Sequence, residues 1–125
     1  MSRVALVVDD SMLIRHAVCR FLEERGFAVE SATNGVEALE LLEKLRPDII
    51  ITDLSMPRMS GSELITALKS RPETHATPIV VLAARQTTSH GVPESRADLV
   101  IYKDIDIQEQ LHAAIAGMFT TTLTA

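Results

Sequence analysis

Three consecutive isoleucines, Ile49-Ile50-Ile51, cannot alternate between a wet and a dry face, so the run Asp48 to Asp53 reads as a strand buried on both sides. Asp53 stands at its carboxyl end, and Pro57, which has no N–H for a ladder, marks the loop that follows. Val4-Ala5-Leu6-Val7-Val8 is a second such run, and it too ends in acids, Asp9-Asp10-Ser11. Ser11 is a good N-cap for a helix from about Met12 to Glu24, in which Ile14, Ala17, Val18, Phe21 and Leu22 recur at helical spacing, with Arg15, Arg20, Glu23 and Glu24 elsewhere on the surface. Gly26 supplies the stop. Phe27 to Ser31 alternates as an edge strand does, and Asn34 caps a helix of Val36, Ala38, Leu39, Leu41, Leu42 and Leu45 that Arg46-Pro47 ends.

Ser60-Gly61-Ser62-Glu63 has the spacing of a capping box and opens a helix with Leu64, Ile65 and Leu68 inward, closed by Pro72. Pro78 to Ala84 is another continuous apolar strand, and Leu99 to Tyr102 is a fifth. Between them, Arg85 to Asp98 supports one or two helical turns at most. Asp106 caps a last helix with Ile107, Leu111, Ala114, Ile115 and Met118 inward, and residues 120–125 are expected to fray. Five strands alternating with about five helices predict a doubly wound α/β fold, a parallel sheet between two helical layers. Strands one and three, the most apolar early ones, form its centre. Right-handed crossovers then give the order 2-1-3-4-5, with the ends of strands one and three at the switch point where ligands bind.

The 125 residues fit a single domain, 1–125, with its core from about residue 4 to 119. With 46% hydrophobic and 23% charged residues and no apolar stretch near the roughly 18 residues of a membrane span, no membrane role is expected. The N-terminus runs directly into a strand, without the features of a secretory signal, and the single Cys19 makes no internal disulfide. Both point to a cytoplasmic protein. A formal net charge of −5 argues against a nucleic-acid surface.

The topology brings Asp9, Asp10 and Asp53 to one rim, where Lys103 arrives from the fifth strand. Carboxylates packed this closely repel one another unless a cation joins them. Oxygen-only ligands suit Mg²⁺: Asp10 and Asp53 directly, the backbone carbonyl of Ser55, and Asp9 through water. Lys103 is then a point charge for a phosphoryl oxygen, and Asp53 a nucleophile that forms an aspartyl phosphate. The plainer alternative is that these aspartates are ordinary caps and turn residues. His16, His75, His90 and His112 have no ligand spacing, Cys19 reads as an inert thiol, and Met12, Met56, Met59 and Met118 read as gap-fillers. No organic cofactor is expected, because the loop after strand one offers carboxylates where a nucleotide binder needs glycine-rich amides.

Val7-Val8-Asp9-Asp10-Ser11, Asp53-Leu54-Ser55-Met56-Pro57-Arg58-Met59-Ser60-Gly61 and the lysine after strand five resemble the CheY-like receiver domain of two-component response regulators, with its flavodoxin-like fold. The resemblance runs from about Val4 to Phe119. It implies that Asp53 is the phospho-acceptor, that Asp9 and Asp10 complete a Mg²⁺ site, and that Lys103 contacts the phosphoryl group. It implies as phosphodonor a sensor histidine kinase or a histidine phosphotransfer protein, and an output protein engaged by direct contact. No output domain is visible, so a stand-alone receiver of the chemotaxis type or an excised one is expected, a monomer or weak dimer. Its only catalysis would be its own phosphotransfer and dephosphorylation.

Three departures from that family stand together. Ala83 occupies the usual Ser/Thr switch position, Val100 the usual aromatic one, and Asp104 follows Lys103 where a cis-proline is usual. The region before strand five is also short. Arg85 or Thr87 would be the compensating donors to a phosphoryl group. The departures favour an alternative, a degenerate receiver acting as a phosphorylation-independent interaction module. A small aspartyl-phosphate phosphatase would need a second acid two residues past the nucleophile, where this chain has Ser55.

Overall fold

Strands β1 (Val4–Val8), β2 (Ala28–Ala32), β3 (Ile49–Asp53), β4 (Ile79–Ala83) and β5 (Leu99–Tyr102) form one sheet in the order β2-β1-β3-β4-β5. Every neighbouring pair is parallel. The structure, a computed structural model, describes residues 3–56, 58–83, 96–103 and 106–118. Four helices lie within these residues: α1 (Met12–Glu24), α2 (Gly35–Leu41), α3 (Gly61–Lys69) and α4 (Ile107–Met118). Residues 84–95, with Arg85 and Thr87, make up most of the irregular stretch where one or two helical turns at most were expected, and they lie outside the described residues, as do Pro57, Asp104 and the tail at 120–125.

The absence of alternation in the apolar runs has a direct cause. Ala5, Val7, Ile49, Ile51, Val80 and Leu82 pack on one side of the sheet against Val18, Phe21 and Leu22 of α1 and Leu111 and Ala114 of α4. Leu6, Val8, Ile50, Ile79, Val81 and Ala83 pack on the other against Ala38, Leu64, Ile65 and Leu68 of α2 and α3. Both faces are dry, so both must be apolar. At about 1.5–3 kcal/mol for each large side chain fully buried, these two layers supply the main drive for folding.

All four expected N-caps form. Ser11 Oγ accepts from Ile14 N–H at 3.3 Å, Asn34 Oδ1 from Glu37 N–H at 3.0 Å, and Asp106 Oδ1 from Glu109 N–H at 3.2 Å. Ser60 and Glu63 make the full reciprocal box, at 3.2 and 2.9 Å. Helix α2 stops at Leu41, short of the expected Leu45: Lys44 N–H turns back to Leu41 O at 3.0 Å, and the Arg46 guanidinium takes Leu42 O at 3.0 Å. The final turn tightens before Pro47, which cannot continue a helix.

Two aspartates sit at the amino edge of the sheet. Asp48, expected inside the third strand, precedes it and accepts from Val4 N–H at 2.7 Å, while its own N–H donates to Val4 O at 2.7 Å. Asp98 treats Ile79 in the same way, at 2.7 and 2.8 Å. These acids are braces that satisfy the first backbone groups of the neighbouring strand. The acids at the opposite edge are held differently.

Candidate functional site

Asp9 follows the last residue of β1 and Asp53 ends β3, so the parallel register delivers both to the carboxyl edge, beside each other. Asp9 is fully buried, Asp53 is 5% exposed, and Asp10 is exposed. Each of the three offers a carboxylate oxygen, and these oxygens all lie within 4.8 Å of one another. Lys103, one residue past β5, spans the gap: its Nζ lies 3.0 Å from Asp53 Oδ1 and 3.1 Å from Asp9 Oδ2. The expected convergence of three acids and one amine is therefore present.

Asp9 is anchored on its other atoms. Oδ1 accepts from Ser11 N–H at 2.8 Å, its N–H donates to Ala32 O at 3.1 Å, and its carbonyl accepts from Arg15 Nη1 at 2.9 Å. Oδ2 is buried without a properly aligned hydrogen-bond partner among the described residues, its neighbour being the Lys103 ammonium. A buried, under-satisfied carboxylate oxygen among hard oxygen donors fits a divalent cation of the Mg²⁺ type. Arg15, expected on the solvent side of α1, is thus turned to the site. Nothing in an i, i+4 pattern distinguishes it from Arg20, which pairs with Glu24 on the surface.

Burial, and then the charge of Asp9, push the Asp53 carboxyl above its ordinary range, opposed by Lys103 and by the Ser55 N–H that donates to it. Burial pulls the Lys103 ammonium down, but the hydrogen bond to Asp53 and the charges of both acids outweigh it and raise its pKa. A cation whose pKa is raised on folding contributes stability that is intact below its unfolded value and lost as pH climbs through the folded one. In the presence of EDTA, the urea midpoint of the wild type should therefore fall as pH rises beyond 10.5, the ordinary lysine value. Lys103→Met should remove that component of the alkaline limb. Parallel limbs for the two proteins would contradict the assignment.

Ser55 is exposed at the rim. The loop it belongs to is tied down locally. Thr52 Oγ1 donates to Asp53 O at 2.9 Å, Gly61 N–H donates to Leu54 O at 2.8 Å, and Met59 fills the space beside Gly35 that a Cβ there would need. Ala83 is buried at the end of β4, and Val100 packs against the same cluster, so no hydroxyl and no aromatic stands there. The Ala83 carbonyl instead accepts from Lys103 N–H at 2.9 Å.

The family model for the response regulator receiver domain matches residues 5–116. The chain belongs to the response regulator receiver family. Response regulator MprA of Mycobacterium sp. (strain KMS) is 39% identical over 108 residues, 85% of this receiver and 46% of that protein. MprA of Mycobacterium ulcerans (strain Agy99) is 39% identical over 113 residues, 89% of the receiver and 48% of that protein. The receiver thus spans about half the length of these curated relatives. Among solved structures, the chemotaxis response regulator CheY4 of Vibrio cholerae superposes with a TM-score of 0.82 at 30% identity, covering 94% of the receiver and 98% of that chain. The receiver domain of sensor histidine kinase PA1611 from Pseudomonas aeruginosa PAO1, solved with a magnesium ion in its active site cleft, gives 0.83 at 18% identity over 94% and 97%, a likeness of fold. The protein is a CheY-like receiver of two-component signalling. No helix among the described residues is long and apolar enough to cross a membrane.

Proposed function

We propose that the receiver takes a phosphoryl group onto Asp53 from the phosphohistidine of a sensor histidine kinase or histidine phosphotransfer protein, and signals through contacts with an output protein in the cytoplasm. The observation that carries this reading is the Lys103 ammonium held at 3.0 and 3.1 Å between Asp53 and Asp9, with Asp10 close enough to complete an all-oxygen site. Asp9, Asp10, Asp53 and the Ser55 carbonyl would hold Mg²⁺, which supplies neutralising charge for the oxygens of the transferring group. An Asp53 carboxylate oxygen forms the new O–P bond. The N–P bond of the donor breaks with its electron pair left on the imidazole, which takes up a proton. Lys103 pairs with a phosphoryl oxygen, and the Ser55 N–H keeps the carboxylate oriented. The receiver catalyses this transfer and the loss of its own phosphoryl group and acts on no other substrate.

A second reading rests on Ala83 and Val100. With a buried methyl where a mobile hydroxyl is usual, phosphorylation would be read out by a route other than hydroxyl and aromatic movement, or the fold would serve as an interaction module without it. Intact-mass measurement after incubation with acetyl phosphate separates the two. A gain of one phosphoryl group with Mg²⁺, absent with EDTA, is the expected result; no gain with Mg²⁺ would leave the interaction module as the function.

A further inference from the structure

β5 is an outer strand, and the Lys103 N–H faces β4, so in a parallel ladder the N–H and C=O of Tyr102 face away from the sheet. One side chain takes both. Gln110, in the second half-turn of α4, accepts from Tyr102 N–H through Oε1 at 3.0 Å and donates from Nε2 to Tyr102 O at 2.9 Å. The same Nε2 lies 3.3 Å from Asp106 O. A single orientation of the carboxamide satisfies all three contacts.

Tyr102 and Asp106 are the two ends of the short link on which Lys103 stands, before the chain enters α4. Position 104 is aspartate, so no proline ring restricts the backbone of Lys103 from the following side. The lysine nevertheless has to place its ammonium between two carboxylates, one just past β1 and one at the end of β3, three and two strands away from its own. A long, rotatable side chain reaches such a point reproducibly only if its backbone is fixed.

We propose that Gln110 is a positioning residue, whose carboxamide closes the base of the Lys103 link and thereby holds the Lys103 ammonium against Asp9 and Asp53. The contact to Tyr102 O fixes the peptide plane that joins Tyr102 to Lys103, the contact to Tyr102 N–H fixes the plane before it, and the Asp106 contact holds the start of α4 against both. The consequence for phosphoryl transfer rests on the function proposed above; the geometric claim does not.

The test pairs kinetics with structure. Gln110→Met keeps the volume and helix propensity while removing all three contacts. Phosphorylation of Asp53 by acetyl phosphate at saturating Mg²⁺, well below the melting temperature, is expected to slow roughly ten- to hundredfold, the scale on which a misplaced group costs rate. In a Lys103→Met background the same substitution is expected to cost nothing further, because Gln110 acts through the lysine. An equal factor in both backgrounds, or no slowing in either, would overturn the proposal. A crystal structure of the Gln110→Met protein reads the geometry even if the wild type accepts no phosphoryl group: Lys103 Nζ should leave both carboxylates, and unchanged contacts would refute the claim. If the methionine variant does not fold, Gln110→Glu, which keeps the acceptor for Tyr102 N–H and loses the donors, should give an intermediate rate and a displaced Nζ, with wild-type values counting against it.

Discussion

Asp53→Asn should abolish phosphoryl acceptance entirely while making the protein more heat-stable at neutral pH. Asparagine preserves the shape of the side chain but has no anionic oxygen to attack phosphorus, so no mass gain should follow treatment with acetyl phosphate and Mg²⁺. The effect on stability follows from the raised Asp53 pKa. An acid whose pKa rises on folding favours the fold when protonated and loses that contribution as pH climbs from its unfolded value, here 3.8, through the folded one. As pH climbs through that range without divalent cation, the wild type has to ionise a carboxylate against burial and against Asp9. The variant does not. Lys103 keeps its contact with Asp9, so the substitution does not strand a buried cation. Calorimetry in EDTA should place the variant above the wild type at pH 7, with the gap closing toward pH 4; a lower midpoint at pH 7 would contradict the account. Stability given up at the proposed phospho-acceptor would be the usual cost of function.

The second large effect belongs to Gly61. A Cβ built there would run into the carbonyl oxygen of Asp53 and lie 2.7 Å from Leu54 Cα, and both obstacles are backbone. No side chain can swing away to relieve the clash, so the start of α3 must separate from the end of β3. Gly61→Ala is expected to cost on the order of 2–4 kcal/mol in urea unfolding and to slow phosphorylation by shifting Asp53 itself. Gly117, on α4 with nothing within 4 Å of where a Cβ would sit, is the control: alanine there should be neutral or stabilise by up to about 1 kcal/mol. Equal behaviour of the two variants would show that Gly61 is not confined as described.

These two cases also mark what the chain discloses before it folds. Ile49-Ile50-Ile51 betrays a doubly covered strand because burial on both faces forbids alternation, and Ser60 with Glu63 betrays a helix start because the box is a local device. The acids at 9, 10 and 53 and the amine at 103 could be brought together on paper because a parallel sheet with right-handed crossovers sends every strand end to one rim. What escaped notice depends on the approach of distant segments. Arg15 differs from Arg20 only in facing the carbonyl of Asp9, Asp48 becomes a brace only once β1 lies beside it, and Gln110 matters only because α4 folds back along β5. A glycine in a capping sequence reads as a helix opener; that it also makes room for the carbonyl of residue 53 is visible only in three dimensions.

The shared direction of the strands has one more effect. Among the described residues each helix cap, Ser11, Asn34, Ser60 and Asp106, follows a strand end, so the macrodipoles of these four helices turn their positive poles toward the acid-bearing rim. Each pole carries roughly half an elementary charge, felt within its first turn. A molecule with a formal net charge of −5 therefore shows an approaching phosphoanion a gentler face than its overall charge suggests, and added salt should weaken that local courtesy along with the wider repulsion.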